Sequence, residues 1–226
     1  MTFYDVHLHN VGKEKGGILI GLEGEPKYEG VLSNSELENF CKTHHKYFPC
    51  YYITKYFNSV PCEKILKYHP FREQYSPTEV IDDLSRRNCK ICIIDTLNSP
   101  QWQPLDYHNI VRTFPNVKFI LAHMGGYDIL EFVKILEFNK NVYADFSLTQ
   151  EYFGWCGSDI RLQMVIDLIN YCFSKDKLRK KVLFGSDHPF YSQDKAINAY
   201  IQYDNINDIL INNYNNLLIS INTNMK

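Results

Sequence analysis

The sequence predicts an α/β fold of the (β/α)8 TIM-barrel type, and three observations carry that prediction. Short β-branched or aromatic runs alternate with helical patterns from end to end, eight such runs occur, and no linker, repeat or low-complexity spacer divides them. Parallel strands covered on both faces read as near-continuous apolar runs, and eight of them are what a closed barrel requires. Residues 1–226 therefore form a single domain. Barrels of this kind typically need about 250 residues, so the shorter chain predicts a compact, distorted barrel with short loops.

The first strand is expected at Thr2–Leu8 (TFYDVHL) and the second at Gly16–Leu22 (GGILIGL). The stretch SNSELENFCK then holds two overlapping capping boxes, Ser33 with Glu36 and Ser35 with Glu38, so its helix starts at one of two points. Strands three and four follow at Phe48–Thr54 and Glu63–His69. In SPTEVIDDLSRR, Ser76 caps, Pro77 suits the first helical position with its preset φ, and Glu79 reaches back to complete the box. Strand five (Lys90–Asp95) precedes a helix at Asp106–Thr113, and strand six (Val117–His123) precedes one at Tyr127–Asn139. Strand seven (Asn141–Ser147) leads to a helix at Asp159–Phe173, and strand eight (Lys181–Asp187) to a helical stretch at Lys195–Tyr203. The Asn-rich tail keeps Ile206, Leu210, Asn213 or Tyr214, Leu217 and Ile221 at helical spacing and reads as a closing helix.

Composition narrows the function. With 45% hydrophobic and 15% aromatic residues the chain buries a substantial core. A net charge of −2, a pI near 6.4 and the lack of any Lys/Arg run argue against nucleic acid as a partner and for a small-molecule substrate. No apolar run approaches the roughly 20 residues that span a bilayer. The opening MTFYDVHLHN lacks a basic segment followed by an apolar one, so the cytoplasm is the expected compartment. A homo-oligomer is left open. The seven cysteines are scattered through apolar segments, which fits buried reduced thiols. Cys89 and Cys92 have redox-motif spacing, but on a strand residues three apart point to opposite faces.

Chemistry in such a barrel sits at the C-terminal ends of the strands. Strand one ends in His7 and His9, which by simple alternation share the face of Phe3 and Asp5. Strand four ends in His69, strand five in Asp95, strand six in His123, and strand eight in Asp187 followed by His188. One histidine at one strand end is ordinarily scaffold or surface, and His44, His45 and His108 are read that way. Convergence makes the difference. Two imidazoles from the first strand and a carboxylate from the last, neighbours in a closed barrel, reach one cation at bond lengths of about 2.0–2.2 Å. Gly125 and Gly126 after His123, and Pro189 after Asp187, supply turns that let the backbone approach a ligand.

Taken together and in this order, DVHLH, KYHPF, FILAHMGG, NVYADFS and VLFGSDHPF resemble the amidohydrolase superfamily, and within it the amidohydrolase-2 group of metal-dependent hydrolases and decarboxylases. The resemblance spans most of the chain. AHMGG followed about sixty residues later by LFGSDHP is its most specific part. It implies a distorted (β/α)8 barrel holding a divalent metal, usually zinc. By the same resemblance His7 and His9 are first-strand ligands, Asp187 touches the metal and handles a proton, and His123 acts as a base or an additional ligand. One position departs: the group usually ends strand five in His-Thr, whereas Asp95-Thr96 stands here. Aspartate ligates zinc through oxygen, and the added carboxylate makes bound water less acidic or shifts preference toward harder ions such as manganese.

The expected activity is hydrolysis of a small-molecule amide, ester or lactone by a metal-activated water, with Asp187 and His123 as proton carriers. His7, His9, Asp95 and Asp187 are the candidate ligands, and His69 and Arg72 orient an anionic group of the substrate. The same ligands serve non-oxidative decarboxylation of an unsaturated or aromatic acid. A non-catalytic barrel would have little reason to present four polar groups at one mouth. A phosphoesterase would need a basic mouth, and no Lys or Arg stands at an assigned strand end.

Overall fold

The computed structural model describes residues 1–24, 28–97, 99–149, 159–201 and 203–222. Eight parallel strands pair in chain order: β1 (Tyr4–Leu8), β2 (Gly16–Ile20), β3 (Tyr47–Ile53), β4 (Ile65–Tyr68), β5 (Ile91–Asp95), β6 (Lys118–Ala122), β7 (Val142–Asp145) and β8 (Val182–Leu183). All eight expected strands are present. The sheet is a nearly closed barrel. Beyond the short β8 the chain turns onto β1, where Val6 N donates to Phe184 O (2.9 Å), Asp187 N to His7 O (2.8 Å) and His9 N to His188 O (2.7 Å).

The helices are α1 (Asn34–Thr43), the single turn α2 (Pro70–Glu73), α3 (Pro77–Arg86), α4 (Pro104–Thr113), α5 (Ile129–Phe138), α6 (Asp159–Ser174), α7 (Asp176–Arg179), α8 (Gln193–Asn198) and α9 (Asn213–Asn222). Capping decides several starts. Ser33, not Ser35, begins α1 through a reciprocal box with Glu36, and Ser76 does the same for α3 with Glu79. Helix α4 opens earlier than expected because Pro104 takes the first helical position. Helix α8 is capped by Ser192 and ends at Asn198, short of the expected Tyr203. Among the described residues no helix separates β1 from β2 or β3 from β4, which is where the barrel departs from strict alternation. The β1–β2 segment instead runs back outside β1, with Lys15 N donating to Phe3 O (2.8 Å).

Strand alternation divides the apolar residues into two cores. Val6, Ile18, Ile20, Ile93, Ile120 and Leu183 fill the barrel, whereas Leu19, Tyr51, Leu66, Ile94, Phe119 and Phe132 pack between strands and helices. Helix α9 closes the end opposite the strand C-termini. Its Tyr214 and Leu217 join the inner core, and Tyr214 stacks on Tyr4 at 4.5 Å. Asn213 offsets its poor helix propensity by donating to the carbonyls of Arg179 and Val182, both at 2.7 Å.

Two irregularities aim the polar side chains. On β1, Asp5 pairs with Gly17 and Leu8 with Leu19, so three steps on β1 match two on β2. This bulge breaks the simple alternation expected from the sequence. Phe3 lies in the outer core and Asp5 faces α8, whereas His7 and His9 turn into the mouth. At the end of β6, Ala122 already faces inward, and alternation alone would send His123 outward. Instead His123, Met124, Gly125 and Gly126 all take positive φ, which swings the imidazole inward. Thr96 Oγ1 holds this turn, donating to Ala122 O and accepting from Gly125 N (2.7 Å), while Thr149 Oγ1 donates to His123 O (3.0 Å). Cys89 and Cys92 are buried free thiols, and no described helix is long and apolar enough to cross a membrane.

A Cβ on Gly125, whose φ is +82°, would lie 2.1 Å from Phe132 Cδ2. Gly125→Ala should therefore lower stability by about 2–4 kcal/mol, through strain and overpacking together. Urea unfolding with an unchanged midpoint would show that this turn tolerates a side chain.

Candidate metal centre

Three side chains from the β1–β8 seam converge at the mouth. His7 Nε2 lies 3.3 Å and His9 Nε2 3.5 Å from the same oxygen, Asp187 Oδ1, and all three residues are buried. These separations exceed ordinary N–H···O lengths. A tetrahedral ion with bonds of about 2.1 Å holds its ligands about 3.4 Å apart, so the three atoms are spaced as if around a cation. Burial, reinforced by the nearby His7 and Lys67, pushes His9 well below the usual histidine range and keeps a neutral ring with a lone pair to offer. Burial raises the carboxyl of Asp187, marking a buried anion that a divalent cation would compensate.

His7, His123 and Asp145 form a second close group. Its nitrogens are already engaged: His7 Nδ1 faces Asp145 Oδ2 at 3.1 Å, and His123 Nδ1 donates to Ser147 O at 2.9 Å. With Nδ1–H of His7 donating to Asp145, Nε2 is the nitrogen left to ligate, and it lies toward Asp187. Asp145 thus stands behind a candidate ligand imidazole, where it would fix the tautomer and tilt of the ring. Burial works to raise its pKa, but His7, His123 and Ser147 outweigh it and hold Asp145 well below the carboxylate range. The sequence reading assigned Asp145 no role. The signal was a carboxylate inside an otherwise apolar strand.

Asp95 stands on the other side of the mouth. Its Oδ2 lies 3.2 Å from His123 Nε2, 3.4 Å from Lys67 Nζ and 3.6 Å from His69 Nε2, and it belongs to neither close group of ligand atoms among the described residues. Burial works to raise Asp95, yet His69, Lys67 and His123 hold it well below its usual value. For His123 burial works downward, but Asp95 prevails and lifts it to about 9, so the ring is an imidazolium. His69 is pushed by burial to about 4, against the pull of Asp95.

Lys67 was missed and corrects an expectation. Its side chain is 1% exposed, and Nζ also lies 3.4 Å from His7 Nε2, so a basic group does stand at the mouth. Counting back by two from His69 places Lys67 on the same inward face, which was the available signal. These groups form the floor of a cavity of about 540 Å³. Leu22, Tyr28, Phe71, Leu97, Leu148 and Phe190 form its walls, with His69 and Arg72 among them. Arg72 Nη2 donates to Glu23 O (3.0 Å), and its guanidinium lies over Tyr28 and Tyr52 at 5.9 and 5.7 Å.

The sequence pattern of the amidohydrolase-2 family matches residues 89–208, more than half of the chain. The chain belongs to the amidohydrolase-2 family. The match takes in Asp95, His123, Asp145 and Asp187, while His7, His9, Lys67, His69 and Arg72 precede it. Among solved structures, an uncharacterised TIM-barrel protein from Bordetella bronchiseptica is similar at 12% identity, with 98% of this chain and 100% of that one covered and a TM-score of 0.66. A structure described as a probable 2-pyrone-4,6-dicarboxylic acid hydrolase from Acinetobacter baumannii, with citric acid bound, is similar at 11% identity, 96% and 99% coverage and a TM-score of 0.61. No curated protein matches the chain in sequence. The structural likenesses show the barrel. Family membership adds the class, metal-dependent hydrolase or decarboxylase, and the buried His/Asp cluster agrees with it.

The purified protein should bind one equivalent of a divalent metal, measured by elemental analysis after dialysis, and the His7→Ala, His9→Ala double variant should lose it. Asp145→Asn should weaken metal binding about 10–100-fold in a chelator competition, the scale of losing a carboxylate behind a ligating histidine. Asp95→Asn should still hold the ion, and loss of the metal there would make Asp95 a ligand.

Proposed function

We propose that this protein is a metal-dependent hydrolase acting on a small amide, ester or lactone that carries a carboxylate. The observation that carries the reading is the spacing of His7, His9 and Asp187 around one point that opens onto a cavity with Lys67 and Arg72 along its sides. Two imidazoles and a carboxylate suit zinc best, with manganese the harder alternative. Bound there, the ion would supply a Lewis acid for a substrate carbonyl and lower the pKa of its water to about 7.

The chain's own residues do the rest. Asp187 accepts the proton of the attacking water and delivers it toward the leaving group. His123, kept protonated by Asp95, holds a second proton at Nε2 beside the reacting centre. Lys67 and Arg72, both lining the cavity, hold the substrate carboxylate by charge and hydrogen bonds. Tyr28, Phe71 and Phe190 cover the apolar body of the substrate and thin the water around it.

The protonated His123 also favours a second reading, decarboxylation, in which an acid beside the ion supplies the proton that replaces carbon dioxide on carbon. A panel separates the two. Metal-loaded protein should release alcohol or amine, or open the ring, from carboxylate-bearing esters, amides and lactones; carbon dioxide from aromatic acids alone would make it a decarboxylase. Lys67→Met and Arg72→Leu should each raise KM for the acidic substrate about tenfold or more, the loss of a charged hydrogen bond, and raise it less for a neutral analogue. No turnover of either class by the loaded protein would sink the enzymatic reading.

A further inference from the structure

Behind the seam that carries His7, His9 and Asp187, on the outer side of the barrel wall, lies a second set of buried polar groups. Asp5 is fully buried, and its Oδ1 accepts two backbone hydrogen bonds, from His7 N at 3.0 Å and Ser186 N at 3.1 Å. One oxygen thus grips β1 at a metal-ligand candidate and grips the returning chain one residue before Asp187. Its Oδ2 accepts from Gln193 Nε2 at 3.2 Å. That amide also donates to Glu14 Oε2 at 2.7 Å, and its Oε1 accepts from Lys13 N at 2.8 Å. Glu14 in turn accepts from Tyr47 OH at 2.6 Å and from Gly12 N at 3.0 Å. A Cβ on Gly12 would stand 2.1 Å from Gln193 Oε1, so the segment outside β1 is pressed against this amide.

The bulge in β1 explains why a carboxylate is needed. A bulge takes backbone N–H groups out of the ladder, and buried ones must find another acceptor. A side chain two residues before His7, turned outward by the same bulge, reaches both strands of the seam at once. An apolar residue would close the wall without desolvating a carboxylate, yet would leave the N–H groups of His7 and Ser186 unpaired.

We propose that Asp5, anchored by Gln193, is a positioning residue that sets the separation of His7 and Asp187 and thereby the affinity of the metal centre. The inference rests on the metal reading given above. Asp5 touches neither the ion nor the cavity. It acts through the backbone of one ligand and of the residue beside another, and a metal site tolerates only a few tenths of an ångström of drift in such positions.

The test compares the purified full chain with Asp5→Leu, Gln193→Met and, as a control, Tyr68→Phe, which removes a buried 2.7 Å hydrogen bond to Asp83 between β4 and α3. Zinc affinity is measured by chelator competition, coordination geometry by the visible spectrum of the cobalt(II)-substituted protein, and stability by urea unfolding. Asp5→Leu, which takes away the acceptor of both backbone N–H groups, is expected to weaken zinc binding about tenfold or more and to alter the cobalt bands. Gln193→Met should do the same to a smaller degree, and Tyr68→Phe should lose stability with both metal readouts unchanged. If Asp5→Leu does not fold, Gln193→Met, which removes the anchor of Asp5 and keeps an acceptor for both backbone N–H groups, carries the test. Folded variants that bind zinc within about twofold of wild type with the same cobalt spectrum overturn the positioning role. A wild type that binds no zinc, or whose zinc survives the His7→Ala, His9→Ala substitution, overturns the metal reading itself.

Discussion

Asp187 N donates to the carbonyl of His7, and through that backbone hydrogen bond the end of the barrel meets its beginning at the level of the candidate metal ligands. No local structure could bring residues 7, 9 and 187 together. Closure of a parallel sheet does, since the last strand of a barrel has only the first strand left to pair with. The short β8 would close weakly by itself. Backbone bonds between residues 184–188 and residues 6–10 supplement it, and α9 seals the opposite end with Tyr214 and Leu217. The interior is therefore apolar for most of its depth, and its polar residues are confined to the mouth.

That confinement concentrates charge where little water reaches. A buried carboxylate or ammonium costs several kcal/mol unless something compensates it, so each group at the mouth has to be accounted for. Asp145 is matched by His7 and Ser147, and Asp95 by Lys67, His69 and His123. Asp187 is the exception. Its closest polar contacts are the nitrogens of His7 and His9, held beyond hydrogen-bond length, and burial raises rather than lowers its pKa. An anion left short of positive charge beside two imidazoles is the electrostatic counterpart of the geometric fit to a cation.

How much of this was legible in the sequence depended on the kind of signal. Strands were legible because a barrel interior and a helix-covered exterior both demand apolar residues, so runs such as KICIID stand out against their polar surroundings. His7, His9 and Asp187 could be paired because topology alone makes the first and last strands neighbours. The face on which His7 and His9 lie was not legible. It depends on a bulge that no residue type announces, and the same bulge sends Asp5 to the outside. His123 likewise owes its direction to four consecutive positive φ values, of which only the two glycines left a trace. Lys67 and Asp145 were overlooked for a different reason. Attention to strand termini passes over a polar residue two positions earlier, although alternation places it on the same inward face.

Asp95 and Lys67 account for one another. A lone ammonium 3.4 Å from His7 Nε2 would repel a cation from the site, and a lone carboxylate on the opposite wall would compete to bind it. Paired at 3.4 Å they cancel to first order, and the carboxylate is further satisfied by His123. Asp95 stands outside both close groups of ligand atoms among the described residues, and this pairing would make it a counter-ion of the proposed centre. His7, His9 and Asp187 would then be the protein's share of the coordination sphere in the proposed centre. Structural zinc sites close their sphere with four protein ligands, whereas three leave a position open for water or substrate. In the proposed centre that position would face the cavity, which Lys67, His123 and Arg72 also line. A site built only to brace the fold would gain nothing from an open coordination position beside a cavity; a site built to bring a substrate oxygen to the ion requires both.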